Sequence, residues 1–229
     1  MRLLMRLVLM GLLVLSGCRA TSSRDVSGEP DRIEEVAAEL IGLAEEDQKY
    51  EQIVLQGKVP ADREGFFATK ARLMVERGER CEAIFDEIGF PDYEMVGKDA
   101  SEAFWLLVQH TDSDPEFQER VVEAMRPAVD RGAADGLNLA FLTDRVLVNT
   151  GRGQKYGTQV DYEHAIGRAF PKLLDAPELV DERRDEVGLE PLAEYMNSMC
   201  EIYFMMNRKQ LGERGVEAAY QYPDGFDSW

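Results

Sequence analysis

The sequence predicts a mainly α-helical single domain with one small β-hairpin, behind a signal segment and a tether. Three observations carry that expectation. Apolar residues recur at i, i+3, i+4 spacing through most of residues 31–149, the period of a helix with one buried face. Alternation of apolar and polar residues replaces that period at Val160, Tyr162 and Ala169, with Gly167 between. Ahead of both, a basic start and a short apolar run end at a cysteine. The expected boundaries are 1–17 for the signal, 18–30 for the tether, 31–206 for the domain and 207–229 for a C-terminal tail.

Arg2 and Arg6 precede Leu7–Leu15, a run too short to span a bilayer comfortably, and Leu15-Ser16-Gly17-Cys18 closes it. This closing tetrapeptide resembles the lipobox of bacterial lipoproteins, in which cleavage precedes the cysteine and its thiol takes a diacylglycerol. An ordinary secretory signal or an anchor helix is the competing reading. Arg19 after the cysteine resembles an outer-membrane sorting signal in a two-membrane bacterium. The expected location is therefore the cell envelope, the membrane being a partner through the lipid on Cys18. Residues 19–30, small and polar, read as the tether.

From Asp31, a candidate cap, the first helix presents Ile33, Val36, Ala37, Leu40, Ile41 and Ala44 and runs to about Leu55. Gly57 and Pro60 mark a break. Two short helices are expected next, Glu64–Glu76 and Glu79–Ile88, stopped by Gly89 and Pro91. A fourth, Glu102–His110, is apolar nearly all round and should be central. Asp114 and Pro115 open a fifth that runs to about Arg131, with Pro127 expected to kink it. The sixth, from Asp135 to Asn149, holds Asp144 and Arg145 among Leu139, Phe141, Leu142, Val146, Leu147 and Val148, and leads into the polar bend Gln154–Gln159. The hairpin follows. Asp181 is then expected to cap a short helix ended by Gly188, and Pro191 to start a long last one. The tail, aromatic and polar, is expected to be loosely attached.

Several blocks in this order resemble one another's setting in a known family. They are Trp105–His110; Asp114-Pro115 with Phe117-Gln118; Asp144-Arg145; Gln154 with Tyr156–Gln159; and a last block from Val180 to Tyr195. Together they resemble an uncharacterised bacterial family, a domain of unknown function, over roughly residues 31–206. The resemblance implies a mostly helical domain with a small strand element, and it implies no activity.

A formal charge of −18 argues against nucleic acid and against anionic lipid headgroups as partners of the folded domain. After export, Cys81 and Cys200 remain; a bridge and two separately buried thiols are both open. No Gly-x-Ser-x-Gly, HExxH or phosphate-loop motif occurs, and Gly151, Gly153 and Gly157 have the wrong spacing for a dinucleotide. Asp112, Asp114 and Glu116 fail as a calcium loop because Phe117 stands where glycine is required. With only His110 and His164, no histidine-rich metal site is expected, a site of His110 with Asp112 or Asp144 is disfavoured, and no cofactor is called for.

The candidate site is the polar set around the sixth helix. His110 beside Asp144 would make an oriented acid/base pair, and Arg145 an anion clamp. Gln109, Gln154, Tyr156, Thr158 and Gln159 would orient a ligand. Against this stands a scaffold role, in which Asp144 or Arg145 pins the bend to the core. The leading expectation is a membrane-anchored lipoprotein that binds a small molecule or an envelope protein. A hydrolase or other acid/base enzyme is the alternative, and a structural envelope protein the third. Arg183-Arg184 reads as surface helix charge.

Overall fold

The computed structural model describes residues 28–229, so the signal, Cys18 and nearly all of the tether lie outside the described residues. Within them the chain is mainly helical with one two-stranded antiparallel hairpin. It divides into two compact units.

The first unit comprises the described residues up to Asp114 together with Asp130–Ala134. Helix α1 spans Gly28–Leu55 and buries a stripe of Val36, Leu40 and Ala44. It begins ahead of Asp31, which therefore lies inside the helix instead of capping it. Asp47, three residues beyond Ala44, continues the stripe and is only 2 % exposed. Helix α2, Arg63–Ile88, is capped by Asp62, whose carboxylate accepts from Gly65 N at 3.0 Å.

Where the sequence predicts two helices, α2 is one. Gly78 does not break it, because the residue serves a close approach: a Cβ there would meet Thr111 Cγ2 at 2.5 Å. Asp92 caps a one-turn helix, α3 (Tyr93–Val96), accepting from Glu94 N and Met95 N. Helix α4, Lys98–Gln109, buries every residue from Ala103 to Val108. The expectation that it is central holds, since α1, α2 and α3 all pack against it. Tyr93 N donates to Ala133 O at 2.8 Å, and Arg131 bonds to Asp92, which ties residues 130–134 to this unit.

The second unit comprises Pro115–Val129 and Asp135–Trp229. Helix α5, Pro115–Asp130, buries Phe117, Val121, Val122 and Met125 and continues through Pro127. Helix α6, Gly136–Asn149, is capped by Asp135, which accepts from Leu137 N at 2.8 Å. Strands β1 (Val160–Glu163) and β2 (Arg168–Pro171) pair with Tyr162 opposite Ala169, and Pro171 is the last residue of β2.

A 3-10 turn at Pro177–Leu179 leads into α7, Val180–Glu186. Asp181 lies inside α7 and accepts from Leu192 N at 2.7 Å, so it caps the next helix, α8 (Leu192–Met206), and not its own. Helix α9, Arg208–Gly212, follows, with Leu211 buried.

The tail is not loose. Tyr222 is 6 % exposed, donates its hydroxyl to Ala169 O at 2.7 Å and exchanges hydrogen bonds with Asn197. Tyr220, Phe226 and Trp229 pack round it, and the four rings join the core of Ala169, Val180, Leu192, Met196 and Cys200. Burial of aromatic area outweighs the polar composition on which the expectation of a loose end rested. Cys81 and Cys200 are free buried thiols, one in each unit.

Candidate functional site

The bend Gln154–Gln159 is built round Asp144. On α6 this residue lies between the buried Ala140 and Thr143 and the buried Val146, and its side chain is fully buried. Its Oδ1 accepts from Lys155 N at 2.8 Å and Tyr156 N at 3.1 Å. Its Oδ2 accepts from Thr158 N at 2.9 Å and from the Thr158 hydroxyl at 3.0 Å. Gly157, at φ +69, makes the turn possible, and a Cβ there would meet Leu192 Cδ1 at 2.8 Å. Burial pushes the Asp144 carboxyl above its usual range, opposed by the amides of Thr158, Tyr156 and Lys155 and by the Thr158 hydroxyl.

The carbonyl side of the same bend is held by residues the sequence reading did not assign to it. Arg184 is completely buried. Its Nη1 donates to Tyr156 O at 2.5 Å and its Nε to Glu190 O at 2.6 Å, with the guanidinium 5.1 Å from the Tyr195 ring centre. The Tyr195 hydroxyl donates to Thr158 O at 3.0 Å. Burial lowers the Arg184 pKa, with Tyr195, Glu190, Asp181 and Asp144 acting against it.

Arg184 is thus an interior cation and not surface charge. The signal was its place four residues after the buried Val180, on the inward face of α7. Its neighbour Arg183 is also committed, donating to the carbonyls of Ala176 at 2.7 Å and Leu179 at 3.2 Å.

The remaining predicted residues divide. Gln154, fully buried, donates to Gln159 O and Lys172 O and accepts from Gln159 N at 2.9 Å. Gln159 donates to the Thr158 hydroxyl at 3.2 Å. Tyr156 and Arg145 are half-buried. Arg145 lies one step round the helix from Asp144, about 100° away, so the two side chains do not face the bend together. The predicted polar centre therefore exists, but its acceptors are filled from within.

His110 is the exception, and its partner differs from the expected one. It closes α4 in the first unit, and its Nδ1 lies 2.9 Å from Asp47 Oδ2; Asp144, in the second unit, is saturated by its own bend. The other Asp47 oxygen accepts from Arg77 Nη1 at 3.2 Å. Arg77 is 4 % exposed, and its Nε and Nη2 are buried without a hydrogen-bond partner, Glu46 standing 3.8 Å from Nη2. Glu51, one turn after Asp47, pairs with Lys70 at 2.6 Å. Gln109 is half-buried at the last position of α4.

Burial acts to raise the Asp47 carboxyl, but the hydrogen bond and charge of His110, with Arg77 and Lys70, outweigh it. The group is held below its usual 3.8. Asp47 was missed although the signal was present: an acid where the stripe of α1 calls for an apolar residue. An imidazole fixed by a buried carboxylate, with its side chain 20 % exposed, can hold a polar ligand or move a proton.

The family described as "Family of unknown function (DUF6624)" matches residues 34–208, and the chain belongs to it. No curated protein and no solved structure matches the chain.

Two outcomes follow from the geometry. Asp144→Ala removes the acceptor for three backbone amides of the bend and should lower unfolding stability by ~3–5 kcal/mol, read from urea denaturation. Asp47 has a folded pKa below its unfolded value, so its stabilising share is complete above the unfolded value and drains away as pH falls through the folded one. Between roughly pH 5 and roughly pH 3 the wild type should therefore lose stability more steeply than Asp47→Asn. Asp144 contributes with the opposite sign in both proteins and cancels in the difference.

Proposed function

We propose that this member of the family is a lipid-anchored protein of the bacterial cell envelope whose first unit binds a small polar ligand at the His110–Asp47 pair. In this reading the Asp144 centre is scaffold. The observation that carries it is the contrast between the two polar groups. Around Asp144 the amides of Lys155, Tyr156 and Thr158 and the carbonyls of Tyr156 and Thr158 are paired from within, with Arg184 Nη2 left over, whereas His110 is partly exposed beside a buried arginine with two nitrogens that lack hydrogen-bond partners. Matched groups hold a fold together; unmatched ones beside a half-open imidazole are what a ligand satisfies.

The anchor rests on the sequence: Arg2, Arg6, the apolar run Leu7–Leu15 and Cys18. Acyl chains contribute about 0.8 kcal/mol per buried methylene, enough in combination to hold an acidic body at a membrane surface.

The 2.9 Å contact between His110 Nδ1 and Asp47 Oδ2 also favours a second reading, an acid/base enzyme. In it His110 carries the proton and Asp47 takes the orienting role first assigned to Asp144. Both described cysteines are buried, and burial pushes the Cys81 thiol up to about 12, so an attacking water would have to serve as nucleophile.

Cys18→Ala should move the protein from the membrane fraction to the soluble one, and retention on membranes refutes the anchor. In a thermal-shift screen of small organic acids and zwitterions, a true ligand should raise the wild-type Tm and leave His110→Gln unmoved. A hit that raises both equally puts binding elsewhere; turnover of a hit, lost in His110→Gln, would favour the enzyme.

A further inference from the structure

We infer that Asp47, Glu51 and His110 form a binding site for one divalent transition-metal ion of the zinc class. The inference deepens the ligand-site reading of the His110 face and rests on it. Asp47 and Glu51 are four residues apart on α1 and so share a face, and His110 arrives from the end of α4, which packs against α1. One donor atom from each lies within 4.8 Å of the others. Donors round a tetrahedral zinc with bonds of ~2.1 Å stand roughly 3.4 Å apart, so modest side-chain movement closes the set.

The neighbouring cations leave the site usable. Asp47 Oδ1 is taken by Arg77, while Oδ2 faces His110. Glu51 Oε1 is taken by Lys70, which leaves its second oxygen for an ion. Ligating carboxylates in metal sites are routinely held this way, one oxygen by an outer partner and one on the metal. On binding, Nδ1 gives up its proton, to solvent from the charged ring or to Nε2 in the neutral one, and its bond to Asp47 is exchanged for Nδ1 and carboxylate bonds to the ion.

Charge and donor type narrow the ion. The carboxylates of Asp47, Glu51 and Glu46 outnumber the cations Arg77 and Lys70 by one, so a dication leaves a single positive excess that an anionic fourth ligand would offset. Arg77 holds the outer side of the set: Nη1 donates to Asp47 Oδ1 at 3.2 Å, Nη2 stands 3.8 Å from Glu46, and Nε and Nη2 lack hydrogen-bond partners. One imidazole and two carboxylates suit zinc, whereas calcium and magnesium call for six or more oxygens. A fourth ligand would enter from the side of His110 and Glu51, whose side chains are 20 % and 30 % exposed.

The test is a zinc titration of the full-length protein, purified in detergent and stripped with chelator, in competition with a chromophoric chelator. Wild type should take up one equivalent and gain Tm as it does so. Glu51→Gln and His110→Gln should weaken zinc about tenfold or more, while His164→Ala should bind as wild type does. Circular dichroism without zinc checks that each variant is folded; should His110→Gln fail, the half-exposed Glu51→Gln decides. No uptake by wild type, or equal affinity in the folded variants, overturns the site. If zinc fails but an organic acid still shifts Tm through His110, only the metal assignment falls; if neither depends on His110, the ligand-site reading falls with it.

Discussion

Six residues of backbone, held between a buried anion and a buried cation, organise the second unit. Asp144 collects the amides of Lys155, Tyr156 and Thr158; Arg184 and the Tyr195 hydroxyl collect the carbonyls of Tyr156 and Thr158. Taking either charge out of water costs several kcal/mol, and that cost is met only when the remaining lone pairs and protons find partners. Here the partners are neighbouring peptide groups of one bend, amides turned to the anion and carbonyls turned to the cation and the Tyr195 hydroxyl. An irregular turn can therefore be buried beside Leu192 with the amides of Lys155, Tyr156 and Thr158 all met by one carboxylate. Helices α6, α7 and α8 each send one side chain to it, which fixes three elements with one short segment.

The first unit handles its interior charge differently. Asp47 meets Arg77, His110 and Gln48, yet Arg77 retains two buried nitrogens without a hydrogen-bond partner, and His110 and Glu51 are partly open. A group so placed is stable enough to fold and incomplete enough to recruit. The acidity of the chain as a whole says little about this group, because the local balance of Asp47, Glu51 and Glu46 against Lys70 and Arg77 is close to neutral.

How far the candidate site was legible depends on the residue. Asp144 could be picked out because a charge amid Leu142, Val146 and Leu147 breaks the helical period, and the bend after it is dense in hydrogen-bonding groups. Arg184 was hidden by its setting: Asp181, Glu182, Arg183 and Asp185 make the whole segment look solvated, and only the four-residue step from Val180 betrays it. Asp47 was hidden likewise within Glu45, Glu46 and Lys49. Gly78 shows the converse error, a break read from a glycine whose true role is to admit Thr111.

The sequence alone determined the helical class, the hairpin, the approximate extent of most helices and the burial of a charge at Asp144, because periodicity and capping are local properties of neighbouring residues. Which carboxylate meets His110, which arginine goes inside and where the aromatic tail comes to rest were decided only by tertiary structure. Those pairings join Asp47 to His110, Tyr156 to Arg184 and Ala169 to Tyr222. Partners so far apart in the chain are chosen by packing, and a helical repeat of three to four residues carries no information about them.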